Sequence, residues 1–212
     1  MQKSNKQLNV KLIVRKYIAK FAFYLNKIFG SNITPNGITY TGLLMHIPIA
    51  YFIAANHLIV AAVLLVIFGL FDTLDGELAR LQKVDSVSGM LLDASTDRFK
   101  EVLIYAGIAY NVAVQHNTPI YLVFVVLALG ASMSVSYVKA KGEAVIAVSD
   151  KKVSHQELNR MFSSGLLGYE VRMTLIVVGL LFGIIIPVVI IIAVFSSYTV
   201  LSRLNQIMQT LR

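Results

Sequence analysis

Four aspartates lie close together in an otherwise apolar chain. Residues 72–97 read DTLDGELARLQKVDSVSGMLLDASTD, and they place the carboxylates of Asp72, Asp75, Asp93 and Asp97 among segments suited to lipid. A carboxylate inside a membrane segment costs free energy unless a partner neutralises it. The group therefore implies a bound cation, and a site made only of oxygen ligands suits Mg²⁺, Mn²⁺ or Ca²⁺.

The spacing within this stretch predicts two helix faces that meet. From Asp72 to Arg80 the distinctive residues recur every three or four positions, and Gly89, Asp93 and Asp97 recur every four. Residues with these spacings share one face of a helix. If the segment between Arg80 and Gly89 is a tight connection, the two helices run antiparallel and their carboxylates converge.

The composition is that of an integral membrane protein. The chain has 212 residues, of which 57% are hydrophobic and 14% charged, and its mean hydropathy is +0.71. Soluble domains contain about 45–50% apolar and about 25% charged residues. The net charge is +8, and the basic residues border apolar segments. This placement favours contact with anionic lipid over contact with nucleic acid. The absence of cysteine excludes thiolate metal sites and cysteine nucleophiles.

The hydropathy pattern predicts an all-α, polytopic membrane protein with six transmembrane helices. Six spans of about 20 residues use most of the chain, so residues 1–212 are predicted to form a single membrane domain, with the six-helix bundle in residues 34–208. The predicted spans are residues 37–55, 58–80, 88–114, 120–141, 166–182 and 184–208, with 187 as the alternative start of the sixth. A polar stretch at residues 142–165 separates the fourth span from the fifth.

The segment before the first span mixes basic and apolar residues at helical spacing. Within residues 1–30, an apolar stripe is predicted to lie in the membrane interface as one face of an amphipathic helix. The stripe consists of Ile13, Tyr17, Phe21, Tyr24 and Ile28.

The distribution of basic residues predicts the orientation. The predicted loops at residues 56–57, 115–118 and 183 contain none of the 19 lysines and arginines. By the positive-inside rule, both termini and the acidic stretch face the cytoplasm of a multi-pass cell-membrane protein.

The acidic stretch as a whole resembles the signature of the CDP-alcohol phosphotransferases, also called CDP-alcohol phosphatidyltransferases. It fits the pattern D-x2-D-G-x2-A-R-x8-G-x3-D-x3-D at all eight fixed positions across 26 residues. Enzymes of this family have six transmembrane helices, with the motif bridging the second and third, and are commonly homodimers. They transfer a substituted phosphoryl group from a CDP-linked donor to an acceptor hydroxyl and release CMP.

The resemblance implies a role for each aspartate. Asp72, Asp75, Asp93 and Asp97 would bind Mg²⁺ or Mn²⁺, as two divalent ions, against the donor diphosphate. Asp97 would in addition be the general base that accepts the proton of the acceptor hydroxyl.

The resemblance also implies a set of CDP-binding residues. Glycines and a small alanine allow close approach of a nucleotide to the backbone, and an arginine one turn beyond Asp75 reaches a phosphate oxygen. Residues 34–39 (TPNGIT) are similar to the TPN-x-x-T entry of many family members, although the same residues also make an ordinary helix start. The CDP-binding set is Gly76, Ala79, Arg80, Gly89, Asn36 and Thr39.

Acceptor recognition is predicted from basic residues elsewhere. Lys139 in the sequence SYVKA resembles the SY-x-[RK]-A element of family members that use inositol phosphate or similar acceptors. With Arg160 and Arg172 it would form a basic pocket for an acceptor phosphate; the alternative interpretation is flanking charge. Those members often carry a Glu-Arg pair where this chain has Glu170-Val171-Arg172, which keeps the acceptor open.

The sequence therefore predicts a metal-dependent phosphotransferase of phospholipid synthesis. The donor is a CDP-linked lipid, CDP-diacylglycerol or CDP-archaeol, and the acceptor is a small polar alcohol, with inositol phosphate preferred. Glycerol 3-phosphate or serine as acceptor, or a soluble CDP-alcohol as donor, is the alternative within this enzyme class. A cation transporter is the alternative from another class, but it predicts carboxylates at the bilayer midplane, and here they cluster at predicted cytoplasmic helix ends.

Overall fold

The structure is a computed structural model that describes residues 2–149 and 167–211. Apart from a short 3₁₀ turn at Gly30–Asn32, the regular elements in these ranges are α-helices, which confirms the predicted all-α fold for the described residues. They are α1 (Gln2–Phe29), α2 (Pro35–Ala54), α3 (Leu58–Gly69), α4 (Phe71–Gln82), α5 (Val87–Gln115), α6 (Ile120–Val148), α7 (Tyr169–Phe182) and α8 (Ile185–Leu211).

Four helical stretches among the described residues are long and apolar enough to cross a membrane. They are Pro35–Ala54, Leu58–Gln82, Ile120–Val148 and Ile185–Leu211, and they overlap the first, second, fourth and sixth predicted spans. The third predicted span falls on α5, which carries five charged residues between Asp93 and Glu101. The fifth falls on α7, whose 14 residues give a length of about 21 Å.

The structure differs from the predicted boundaries in two places. The second predicted span is interrupted at Leu70, whose N–H donates to the carbonyl of Ile67 (3.3 Å) in a tighter turn than an α-helix makes. Gly69, a weak helix former, directly precedes this turn. The fourth predicted span ends at residue 141, but α6 continues to Val148 because the apolar side chain of Ile146 packs against Ile207.

The chain divides into two compact units, and the first contains residues 1–51 and 63–104. In this unit α1 packs against α4, with Ile18 and Ala22 buried against Leu74 and Leu78. Four residues of the predicted apolar stripe, Tyr17, Phe21, Tyr24 and Ile28, are exposed on a different face of α1. The helix α1 therefore has one apolar face packed on protein and a second apolar face on the surface.

The connection between α4 and α5 is short, which meets the condition for the two predicted helix faces to converge. Lys83 adopts a left-handed conformation (φ 57°) and ends α4, with its N–H donating to the carbonyl of Arg80 (3.3 Å). The N–H of Val84 donates to the carbonyl of Ala79 (3.0 Å), which completes a Schellman motif. Ser86 then caps α5 by accepting a hydrogen bond from the N–H of Gly89 (3.1 Å).

The second unit contains residues 52–62 and 105–212 and is built mainly from α6, α7 and α8. The helices α7 and α8 form a hairpin that turns at Gly183, whose positive φ of 67° favours glycine. Near this turn the two helices approach closely, since a Cβ on Gly179 would lie 3.1 Å from a methyl group of Val188.

Candidate active site

Three aspartates of the motif form one carboxylate cluster in the first unit. Asp72 extends from α4, and Asp93 and Asp97 extend from consecutive turns of α5. One carboxylate oxygen from each lies within 4.8 Å of the others. The short connection at residues 83–86 and the four-residue spacing on α5 bring them together.

The fourth aspartate of the motif, Asp75, is held beside this cluster by α2. Its side chain is buried, and its Oδ2 accepts a hydrogen bond of 2.6 Å from the hydroxyl of Thr39. It lies close enough to Asp93 for the two charges to interact. Thr39, predicted to be a CDP-binding residue, thus contacts a predicted metal ligand in the structure.

Lys100, which is not part of the sequence motif, contacts two of the three aspartates of the cluster. The ammonium of Lys100 donates to Asp72 Oδ1 and lies 3.4 Å from Asp97 Oδ1, and its side chain is only 1% exposed. Its position three residues after Asp97 places it on the same face of α5 as that carboxylate. This spacing is the signal in the sequence that could have identified Lys100.

The cluster has the chemistry expected of a divalent metal site. Asp93 Oδ1 is buried and accepts no hydrogen bond from the described residues. A buried carboxylate oxygen without a donor carries the full cost of its desolvation. A hard divalent cation bound to these carboxylates would remove that cost, and the all-oxygen ligand set fits Mg²⁺ or Mn²⁺.

The phosphate-binding arginine predicted by the motif is oriented by an ion-pair network. Arg80 Nη2 lies 2.8 Å from Glu77 Oε1, and Arg15 of α1 donates its Nε hydrogen to the same oxygen at 2.5 Å. A Cβ on Gly76 would lie 3.5 Å from Arg80 Nη2, in van der Waals contact. The sequence analysis did not select Glu77, because its partner Arg15 is 62 residues away in the chain.

The start of α2 lies beside the motif. Thr34 caps this helix by accepting a hydrogen bond from the N–H of Gly37 (3.1 Å). The amide oxygen of Asn36 lies 3.9 Å from the position of a Cβ on Gly89. The structure therefore brings Asn36 close to Gly89 and Thr39 close to Asp75. Ala79 is partly buried on α4.

The predicted acceptor residues belong to the second unit and differ in exposure. Lys139 is half exposed and lies 3.9 Å from Glu143. Arg172 is fully buried and donates to the carbonyl of Leu167 (3.1 Å), among other partners. Arg160 lies outside the described residues.

The structure adds one basic residue that the sequence analysis did not select. Arg203 of α8 is buried near enough to Arg172 for the two positive charges to interact. One of its guanidinium nitrogens donates to the carbonyl of Val135 (3.3 Å) on α6. A lone arginine within an apolar span was the signal for this residue.

The fold and the site together define a helical membrane-type protein with a divalent-metal carboxylate cluster. Residues 32–199 match the CDP-alcohol phosphatidyltransferase family, and the chain belongs to that family. It is therefore a transferase that moves a substituted phosphate group from a CDP-linked donor to an acceptor alcohol. This result confirms the family resemblance carried by the motif.

The chain is similar to a named relative in sequence and to solved structures in fold. The chain is 34% identical over 180 residues to a phosphatidylinositol phosphate synthase of Corynebacterium glutamicum, covering 81% of this chain and 76% of that protein. The fold is similar to that of Mycobacterium tuberculosis phosphatidylinositol phosphate synthase with CDP-DAG bound (TM-score 0.76, 22% identity, 91% of this chain and 94% of that one). It is also similar to the same synthase in complex with manganese and citrate (TM-score 0.76, 21% identity, 90% and 88% covered).

Proposed function

We propose that this enzyme transfers the phosphatidyl group of CDP-diacylglycerol, or the equivalent group of CDP-archaeol, to a hydroxyl of inositol phosphate. The observation that carries this proposal is the carboxylate cluster formed by the family motif on α4 and α5. The choice of inositol phosphate is supported by the relative from Corynebacterium, which is named as a phosphatidylinositol phosphate synthase. Glycerol 3-phosphate and serine are the alternative acceptors, and a soluble CDP-alcohol is the alternative donor.

The proposed metal ligands are Asp72, Asp75, Asp93 and Asp97, holding two Mg²⁺ or Mn²⁺ ions. The buried Asp93 oxygen that accepts no hydrogen bond from the described residues supports this role. When bound, the divalent ions would neutralise charge on the donor diphosphate. Asp75 would contribute one oxygen while its other oxygen keeps the hydrogen bond from Thr39.

The proposed general base is Asp97. It would accept the proton of the acceptor hydroxyl as that oxygen forms a bond to the phosphorus nearer the lipid. The bond between this phosphorus and the bridging oxygen breaks, and CMP leaves with the electron pair. Asp97 suits this role because its side chain is partly exposed (18%), so that a substrate hydroxyl can reach it.

The remaining motif residues would bind the CDP group. Arg80 is half exposed and uses one side of its guanidinium for Glu77, which leaves other N–H groups for a phosphate. Gly76 and Gly89 have no side chain, so that a nucleotide can approach the backbone closely. Ala79 adds only a methyl group to the same region. Asn36 and Thr39 would contribute from the start of α2, as their contacts with the motif support.

The acceptor phosphate would be bound by Lys139, Arg160 and Arg172. The proposal is supported by the half-exposed ammonium of Lys139, whose described partner Glu143 is 3.9 Å away. Arg172 is included because the planar guanidinium of an arginine suits bidentate binding of a phosphate.

The proposed arrangement in the membrane has six spanning helices, with α5 and α7 added to the four candidate spans. The exposed residues of the apolar stripe of α1 would lie in the membrane interface. Both termini and the acidic motif would face the cytoplasm, as the distribution of the 19 basic residues supports. The functional form would be a homodimer, as in other members of the family.

The test is a CMP-release assay on the purified protein in lipid. Each donor, CDP-diacylglycerol, CDP-archaeol or a soluble CDP-alcohol, is combined with inositol phosphate, glycerol 3-phosphate, serine or inositol in Mg²⁺ or Mn²⁺. We expect CMP release with a CDP-linked lipid and inositol phosphate. Release with another acceptor but not with inositol phosphate would refute the acceptor proposal, and release with only the soluble donor would refute the lipid donor.

A further inference from the structure

The acidic cluster contains its own cation. The three aspartates of the cluster (Asp72, Asp93 and Asp97) and the adjacent Asp75 contribute a formal charge of −4, and Lys100 reduces the sum to −3. Two neighbouring arginines are engaged by glutamates instead, since Arg80 pairs with Glu77 and Arg98 with Glu101. Lys100 is thus the cation that the described structure places directly on these aspartates.

The position of Lys100 depends on those carboxylates. A lysine that is 1% exposed is rare in proteins unless a charged partner compensates for its lost hydration. The side chain passes Gly42 of α2, where a Cβ would lie 3.8 Å from Lys100 Cε and 3.9 Å from Nζ. Its ammonium contacts Asp72 on α4 and Asp97 on α5, so it joins the two helices that carry the motif.

We propose that Lys100 is an internal counter-ion of the acidic cluster: its ammonium holds Asp72 and Asp97 together when divalent metal is absent and competes with the metal for these carboxylates. The inference rests on the proposed function in that the aspartates bind a divalent cation. Two of the three residues of the cluster are contacted by Lys100, so the ammonium and a divalent ion draw on the same ligands.

Competition of this kind has two consequences. Without metal, the ammonium reduces repulsion among the carboxylates and stabilises the fold. With metal, the same positive charge opposes the incoming ion, so that affinity is lower than the ligand set alone would give. Removing the ammonium should therefore destabilise the metal-free protein and tighten metal binding.

The experiment compares the full-length protein with Lys100→Met and Lys100→Arg. Binding of Mn²⁺ alone is measured by electron paramagnetic resonance of the free ion, and the apparent Tm is measured in EDTA and in saturating Mn²⁺. For Lys100→Met we expect a Kd for Mn²⁺ at least about tenfold lower and an apparent Tm in EDTA lower by about 4 °C or more. Lys100→Arg keeps the charge and should stay within about threefold of the wild-type Kd, about 0.7 kcal/mol.

The matched control is Lys27→Met, which removes the same charge from an exposed position on α1. It should leave both the Kd and the Tm unchanged. A Lys100→Met protein that folds only when purified in Mn²⁺ would also support the proposal. An equal or weaker Mn²⁺ affinity in Lys100→Met would overturn it while leaving the metal-dependent reaction intact. Failure of the wild-type protein to bind Mn²⁺ would overturn the metal-dependent function as well.

Discussion

The two units of the protein bury charge in opposite ways. In the first unit the carboxylates of α4 and α5 converge, and Asp93 Oδ1 accepts no hydrogen bond from the described residues. In the second unit the buried guanidinium groups of Arg172 and Arg203 donate to the main-chain carbonyls of Leu167 and Val135. The first unit thus brings like charges together, whereas main-chain carbonyls of the second unit accept hydrogen bonds from its buried arginines.

The difference follows from what each side chain can accept or donate. A carboxylate only accepts hydrogen bonds, and the N–H groups inside a helix are already bonded to carbonyls. A guanidinium has five N–H donors, and a helix carbonyl has a second lone pair to offer. A buried carboxylate cluster therefore needs cations, and Lys100 supplies one positive charge against the four aspartates of the motif. A buried arginine can instead donate to main-chain carbonyls.

The largest effect should come from changing Asp93, whose Oδ1 accepts no hydrogen bond from the described residues. We expect Asp93→Asn to reduce CMP release below detection, because an amide has no charge with which to hold a divalent ion against a diphosphate. EDTA should inactivate the wild-type enzyme, and Mg²⁺ or Mn²⁺ should restore its activity. The measurement is the rate of CMP release at saturating substrates.

The matched control for this change is Asp85→Asn, in the exposed connection between α4 and α5. It makes the same substitution eight residues before Asp93 and should keep wild-type activity. Full activity of Asp93→Asn, or of the wild-type enzyme in metal-free buffer, would show that the carboxylate cluster needs no external cation.

The next largest effect should separate the proposed base from the other carboxylates. Loss of a general base reduces the rate by about 10²–10⁴-fold. We expect Asp97→Asn to lose kcat by this factor while its Kd for CDP-lipid, measured by equilibrium binding, stays within a few-fold of wild type. Near-normal turnover would remove Asp97 from the base role, and loss of donor binding would make it mainly a metal ligand.

A smaller effect should test whether the second unit binds an anion at all. Removing a charge-assisted hydrogen bond costs about 1.5–3 kcal/mol, which corresponds to a rise in acceptor KM of about tenfold to a hundredfold. We expect this rise in Lys139→Ala and in Arg172→Ala, with the KM for CDP-lipid unchanged. Steady-state kinetics with each substrate varied in turn measures both values.

The control in the second unit is Lys141→Ala, which removes an exposed lysine two residues along α6 from Lys139. It should leave the acceptor KM unchanged. Because Arg172 is fully buried, the apparent Tm of its variant must be measured alongside. If Lys139→Ala and Arg172→Ala both keep the wild-type acceptor KM, these residues serve only as structural or flanking charge, and the phosphorylated acceptor loses its support.

Local spacing explains which parts of the site could be predicted. Asp93 and Asp97 are one helical turn apart, and four residues connect α4 to α5, so their convergence with Asp72 follows from the sequence. The hydrogen bond between Thr39 and Asp75 joins residues 36 positions apart, and no local pattern specifies such a contact. The sequence gives even less indication that Arg203 lies near Arg172, because that approach depends on how separate helices pack.

The smallest expected effect concerns Glu77, whose carboxylate forms ion pairs with two arginines. Its Oε1 contacts Arg15 of α1 and Arg80 of α4, and both arginine side chains are more than half exposed (57% and 51%). Ion pairs with exposed partners contribute roughly 0.2–1 kcal/mol. We expect Glu77→Gln to leave Arg80 less well oriented and to raise the KM for CDP-lipid by about twofold to fivefold, with kcat and the acceptor KM unchanged.

Two further variants show whether the ion pairs of Glu77 cause the change in the KM for CDP-lipid. Arg15→Gln removes the α1 partner of Glu77 without touching α4, and it should raise the donor KM less than Glu77→Gln does, since Arg80 keeps its own bond to Glu77. Glu143→Gln, on an exposed part of α6, should leave the donor KM unchanged. A donor KM that stays at the wild-type value in Glu77→Gln would mean that Arg80 needs no orienting partner. The ion pairs of Glu77 would then serve only to hold α1 against α4.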